Sequence, residues 1–241
     1  MMEYGLQLYS VRDAMEKDVY STLKAVAQIG YTSVEFAGFF GVEAPTMKAW
    51  LDELGLKASG THTTIYEVRD HYDEIVAYHK TIDCNNLIIP WADMSSPEKI
   101  QELLGLIREY QPRLAADGIT LGFHNHAQEF EVDATGTLPY AILEYCTDLS
   151  LEVDTYWTFV AGLDSPAVIE RLRDRIQFIH LKDGTADKVG KPLGTGEAPV
   201  AAVVKKAKEL GFSMIVESEN LFPDGLTEVK SCFEYLKSLE A

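Results

Sequence analysis

The chain alternates short runs of β-type residues with longer runs of helical periodicity. Eight runs have an apolar body and a polar or aromatic end: YGLQLYS (4–10), TSVEFAG (32–38), KASGTHT (57–63), NNLIIPW (85–91), ITLGFHNH (119–126), LSLEVDTYW (149–157), IQFIHLKD (176–183) and SMIVESE (213–219). The gaps between them repeat apolar residues at helical spacing. DVYSTLKAVAQIGY sets Val19, Leu23, Val26 and Ala27 on one face and stops at Gly30. SSPEKIQELLGLIREY opens with serine and proline, a helix-start signal, and keeps Ile100, Leu103, Leu104 and Ile107 in register. DSPAVIERLRDR offers Asp164 or Ser165 as cap with Pro166 in the first turn. PVAAVVKKAKELG places Val200, Val203, Val204, Ala207 and Leu210 together and stops at Gly211.

Eight strand–helix repeats without hairpin signals imply parallel strands joined by crossover helices. The count fits an α/β fold of one closed (β/α)8 TIM barrel, a single domain over residues 1–241. An open doubly wound sheet is the alternative; it usually carries a glycine-rich phosphate loop after its first strand, where this chain has LYSVRD. The longest irregular stretches, 125–137 and 183–198, follow strand ends, where a barrel holds its active-site loops.

Composition narrows the partners. The 241 residues are 46% hydrophobic and 24% charged, ordinary for a globular chain large enough to bury its own core. A formal net charge of −17 repels phosphate backbones and anionic lipid, which argues against nucleic acid and membrane partners. The three cysteines, Cys84, Cys146 and Cys232, are odd in number and widely spaced, and they read as reduced core thiols of a cytoplasmic protein. The N-terminal MMEYGLQLYSVRD has no signal-peptide pattern, and no apolar run approaches the ~18 residues of a membrane span.

Chemistry collects at the strand ends. They carry Gln7 and Ser10, Glu35, His62, Trp91, then His124, His126 and nearby Glu129, then Asp154 and Trp157, then His180, Lys182 and Asp183, and finally Glu217 and Glu219. In a parallel barrel all these ends open on one face, so residues more than 200 apart in sequence share one pocket. Asp154, His180 and Glu217 each follow an apolar strand body, and a buried carboxylate is costly unless paired, hydrogen-bonded or metal-bound. Two carboxylates and an imidazole suit one divalent cation such as Mn²⁺, Co²⁺, Zn²⁺ or Mg²⁺, with a fourth ligand drawn from HNHAQEF.

GFHNHAQEF, EVDTYW, HLKD, LGTGE and VESE, in this order, resemble the xylose isomerase-like TIM-barrel superfamily, which includes sugar and sugar-phosphate isomerases, ketose epimerases, inosose dehydratases and the endonuclease IV branch. The resemblance runs from Gly5 to Glu219 and implies one divalent metal held by Glu, Asp, His and Glu at strand ends, carried over here to Asp154, His180 and Glu217. Epimerase relatives have a glutamate where this chain has His124, so either His124 is the fourth ligand or Glu129 reaches back from the loop; the preference of hard cations for carboxylate oxygen favours Glu129. The implied activity is sugar, sugar-phosphate or cyclitol isomerisation or epimerisation by proton removal next to a carbonyl, with keto-sugar or inosose dehydration as the alternative. Glu217 then doubles as ligand and base, His124 is the second acid/base, His126 and Lys182 hold substrate oxygens, and His62 and Trp157 line the sugar pocket. A homo-oligomer is left open. A three-zinc phosphodiesterase needs more ligands than six histidines readily supply, and a non-catalytic sugar-binding barrel is the remaining alternative.

Each residue also has a plain structural use. Asp154 could cap a helix at TYWTFVAG, Asp183 could brace a loop, Glu35 could form a salt bridge at the pocket mouth, and Glu219 competes with Glu217. GTG at 194–196 reads as a turn before the following helix, Trp50 and Trp91 as packing residues, and His71 and His79 as surface histidines of a solvated helix.

Overall fold

Every one of the eight predicted β-runs contains a strand, and each strand ends before its run does. The computed structural model describes residues 3–132, 136 and 138–240. Its strands are β1 (Tyr4–Gln7), β2 (Ser33–Phe36), β3 (Lys57–His62), β4 (Asn86–Ile89), β5 (Thr120–His124), β6 (Ser150–Asp154), β7 (Ile176–Leu181), β8 (Asp183–Gly184), β9 (Gly190–Lys191) and β10 (Ser213–Val216). The helices among the described residues are α1 (Arg12–Met15), α2 (Val19–Ile29), α3 (Ala44–Leu54), α4 (Ile65–Thr81) and α5 (Pro97–Ala116), followed by α6 (Pro139–Cys146), α7 (Thr155–Val160), α8 (Ser165–Leu172), α9 (Val200–Leu210) and α10 (Gly225–Ser238).

Strands close in the order β1-β10-β7-β6-β5-β4-β3-β2, with β1 hydrogen-bonded to both β2 and β10, and all pairs are parallel. This is the (β/α)8 barrel expected from the alternation. Side chains of alternate residues face opposite ways along a strand. Leu6, Val34, Leu121, Phe123, Leu151, Val153, Ile179, Leu181, Met214 and Val216 are buried beneath the helices. The intervening positions face the barrel axis. The helices return the complementary face: Val200, Val203, Val204 and Ala207 of α9 are buried as their spacing predicts, each full valine burial contributing about 1.5–3 kcal/mol. Asp18, Ser96, Asp164 and Asp224 cap helices with their side chains, and Gly211 ends α9 in the left-handed conformation, at φ 78°.

Three expectations need correction. The 183–198 stretch is not wholly irregular, because β8 and β9 pair as a small antiparallel ribbon. Among the cysteines, Cys84 and Cys232 are core residues but Cys146, at the end of α6, is exposed. His79 is not a surface residue: it is fully buried, with Nε2 2.9 Å from Thr61 Oγ1 and Nδ1 3.1 Å from the Cys84 carbonyl. Burial there drives its pKa down to about 4, so the imidazole packs as a neutral group. His71 is exposed, as expected. Part of the 125–137 loop lies outside the described residues.

Asp183 shows how the loop after β7 is held. Its carboxylate accepts from the backbone N–H groups of Gly184 (2.8 Å), Gly194 (2.8 Å), Gly196 (3.0 Å) and Ala198 (3.1 Å). A side chain at Gly196 would collide with that carboxylate, which gives the glycine its reason. The GTG stretch is therefore a turn wrapped round an anion supplied by the protein itself. Hydrogen bonds to a charged partner each contribute about 1.5–3 kcal/mol, partly recovered by water once broken. Asp183→Ala is expected to cost about 3 kcal/mol in urea unfolding; a loss below about 1 kcal/mol would show that the loop holds itself.

Candidate functional site

The strand ends converge as parallel closure requires. Glu152 and Asp154 lie two residues apart on β6, so both face the barrel axis, one above the other. Asp154 pairs in register with His180 of β7, and His124 of β5 with Glu152. Glu217 follows β10, its N–H donating to the Leu181 carbonyl at 3.0 Å.

The outer layer consists of His124, Asp154, His180 and Glu217. One ligand atom from each lies within 4.8 Å of all the others, and all four residues are buried. His180 Nδ1 is 3.3 Å from Glu217 Oε2, and His124 Nε2 is 3.9 Å from Asp154 Oδ2. Asp154 serves two purposes at once. Its Oδ1 caps α7 by accepting from the N–H groups of Tyr156 (2.9 Å) and Trp157 (3.0 Å), while Oδ2 is buried without a hydrogen-bond partner. A buried carboxylate oxygen left unpaired costs free energy, and a cation among these four donors would satisfy it. Two carboxylate oxygens and two imidazole nitrogens suit a borderline divalent ion.

Below them lies a layer that the reading of strand ends largely missed. Glu35 Oε2 and Glu152 Oε2 alternate with two imidazole nitrogens. His180 Nε2 is 2.8 Å from Glu35 and 3.1 Å from Glu152, and His62 Nε2 is 2.7 Å from Glu152 and 3.2 Å from Glu35. Gln7 donates to Glu35 at 2.8 Å, and His124 Nδ1 lies 3.2 Å from Glu152. Gly60 leaves room for the Glu35 carboxylate, which sits 2.9 Å from where a Cβ would stand. Burial alone would discharge His62 and Glu152; attraction between imidazole and carboxylate wins. Burial opposes the charged form of His62, yet Glu35 and Glu152 raise its pKa to about 10. Burial likewise opposes charge on Glu152, and His180 and His62 hold its pKa well below the usual range. Glu152 is the residue missed outright. Its signal was its parity with Asp154.

The other expected site residues divide. His62, His124, His126, Glu217 and Glu219 line an open cavity of about 510 Å³, together with Tyr9, Glu67 and Trp91. Trp91 is about half exposed at the mouth, not a packing residue. His126 stands 5.0 Å from the His124 ring; burial, with His124 and Lys182 nearby, lowers its pKa to about 3, which leaves it neutral. Lys182 is buried behind the cavity wall, bonded to Glu219, 3.7 Å from Glu217 and 4.7 Å from the Trp157 ring centre. Burial opposes charge on Glu217, but Lys182 and His180 keep it ionised, its pKa well below normal. Glu129, favoured from sequence as fourth ligand, is not brought to the group. The short 3-10 turn Gln128–Phe130 folds its carboxylate back onto the loop, where it accepts from the His126 N–H (2.8 Å) and Gln128 Nε2 (3.1 Å). His124 occupies the fourth position in the cluster.

Comparison with known proteins agrees with this architecture. A family profile described as xylose isomerase-like TIM barrel matches residues 23–238. No curated protein matches the sequence. Among solved structures, a sugar phosphate isomerase/epimerase from Parabacteroides distasonis is similar with TM-score 0.86 and 25% identity, covering 98% of each chain. A second protein of that description from the same organism gives TM-score 0.83 at 20% identity, over 98% of this chain and 93% of the other. The probable 3-DHS dehydratase AsbF of Bacillus anthracis, involved in petrobactin synthesis, shares the fold with TM-score 0.78 at 14% identity, over 98% of this chain and 99% of its own.

Proposed function

Because the chain belongs to the xylose isomerase-like TIM-barrel family, we propose that it is a divalent-metal-dependent isomerase or epimerase that removes a proton next to the carbonyl of a sugar or cyclitol. The observation that carries this reading is the unpaired Asp154 Oδ2, buried within reach of His124, His180 and Glu217. These four residues would hold the cation. When bound, it would polarise the substrate carbonyl and steady the negative charge that develops there.

The remaining work falls to the chain. Glu217 borders the cavity and is kept ionised by Lys182 and His180, so it can accept the α-proton. His124, read from sequence as the second acid/base, has no nitrogen left for that role as a ligand, because its Nδ1 faces Glu152. Neutral His126 lines the cavity and is placed to bond a substrate hydroxyl. Lys182 acts through Glu217 and Glu219 rather than by touching substrate, a change from the role its sequence position suggested. Dehydration is the second reading. It is favoured by His124 standing where epimerase relatives carry a second glutamate, which removes one carboxylate of a two-carboxylate epimerisation.

Incubation with Mg²⁺ or Zn²⁺ and a panel of ketoses and inososes in D₂O is expected to wash deuterium into the carbon next to the carbonyl, seen by proton NMR. Exchange without net loss of water marks the isomerase or epimerase reading; exchange with an accumulating enone marks the dehydratase. A panel showing neither exchange nor turnover would favour a non-catalytic sugar-binding barrel.

A further inference from the structure

The charge of the cavity bears on what it can admit. Its lining carries three glutamates, Glu67, Glu217 and Glu219, and no lysine or arginine; the cationic His62 is already held between Glu35 and Glu152. The loops that follow β2, β4, β5, β6 and β10 at this rim contain no lysine or arginine, and neither occurs anywhere between residues 114 and 170. The basic residues of the remaining rim loops are Arg12, Lys17, Lys182, Lys188 and Lys191, and Lys17 does not line the cavity. Lys182 is buried and held by Glu219 and Glu217. Lys188 and Lys191 belong to the β8–β9 ribbon and do not line the cavity. Arg12 spends both guanidinium ends on carbonyls, donating to Tyr9 and Glu219 at 2.7 Å each, and its plane stacks 4.0 Å from the Tyr9 ring centre. A divalent cation in the cluster leaves no surplus positive charge, since Asp154 and Glu217 neutralise it.

A phosphate dianion is normally met by arginine, lysine or a row of free backbone N–H groups. Here it would face three carboxylates in a protein of net charge −17. The glycine pair of the loop after β7, Gly194 and Gly196, already turns its N–H groups onto Asp183. What the mouth offers instead is two half-exposed aromatic faces, Tyr9 and Trp91, 43% and 49% accessible. Such faces suit the C–H side of an uncharged sugar ring, with carboxylates and imidazoles below to bond its hydroxyls.

We propose that the substrate is an uncharged keto-sugar or keto-cyclitol without phosphate, seated between Tyr9 and Trp91. This rests on the sugar-transforming reading of the same site and selects among its substrates. The test uses matched pairs, D-fructose with D-fructose 6-phosphate and D-tagatose with D-tagatose 6-phosphate, on the Mg²⁺- or Zn²⁺-loaded protein. Affinity is read by saturation-transfer NMR titration and proton exchange in D₂O. The neutral member of a pair is expected to bind at least about tenfold more tightly than its phosphate, as electrostatic exclusion requires, and Trp91→Ala to weaken the neutral member by a similar factor. A phosphorylated member that binds as well as or better than its partner would overturn the inference and leave the sugar-transforming reading standing; loss of that binding in Arg12→Gln would then identify the anchor. Neither binding nor exchange with any member would overturn both.

Discussion

Asp154→Asn and Glu217→Gln proteins are expected to fold as the parent does and to bind a divalent cation at least about 100-fold more weakly. Changing the groups behind a metal ligand typically costs 10–100-fold in affinity, so removing a ligand charge itself sets that range as a floor. The choice of asparagine matters at position 154. Asp154 Oδ1 caps α7 through Tyr156 and Trp157, and asparagine is as good a cap as aspartate, so the helix start survives while the anionic oxygen is lost. Alanine would confound the two effects by about 1 kcal/mol of lost capping. The measurement is metal content after dialysis, with calorimetric titration of the apo-protein, alongside circular dichroism. Parent-like affinity in both variants would remove Asp154 and Glu217 from the ligand set.

The second large effect lies one layer down. Glu152→Gln keeps shape but takes away the anion shared by His62, His124 and His180. Breaking a buried, paired charge typically costs 3–5 kcal/mol, because the partners are left uncompensated. The loss expected here is about 3 kcal/mol, because Glu35 still faces both His62 and His180. Glu152 and Glu35 also fix which nitrogen His180 offers: with Nε2 tied to the carboxylates, Nδ1 faces Glu217 and the cation position. Cation affinity should therefore fall about 10–100-fold, together with stability. A Glu152→Gln protein with parent-like urea midpoint and cation affinity would show that the inner layer is filler.

Much of this was legible in the sequence because two simple rules govern it. Alternation within apolar runs gave the strands, and parallel closure then obliged Asp154, His180 and Glu217 to meet, though they are spread over more than sixty residues. The omissions follow from reading only the last residue of each strand. Glu152 sits two residues earlier, inside an apolar run, yet the alternation that turned Asp154 inward turned Glu152 inward as well. His79 was misjudged from its charged neighbours, although it keeps step with Ile65, Val68 and Val76 on the buried face of α4. Glu129 is turned away from the cluster for another reason: chemistry favoured a carboxylate, but the direction of a loop side chain depends on turn geometry that residue type does not encode. The short ribbon β8–β9 has the same origin, since its pairing comes from the loop wrapping Asp183 rather than from strand propensity.

The four donors that surround the cation position come from β5, β6, β7 and the end of β10, and β10 is the strand that joins β7 to β1 and closes the ring. With the proposed cation bound there, chelation and ring closure would be one equilibrium. A half-assembled barrel lacking β10 would lack Glu217, one of the four donors, so the proposed ion would favour the native state over its partly opened forms. By mass action such a ligand adds about 2.7 kcal/mol to native stability at a hundred times its dissociation constant. Starvation for the ion would then thin the population of intact molecules as well as silence them.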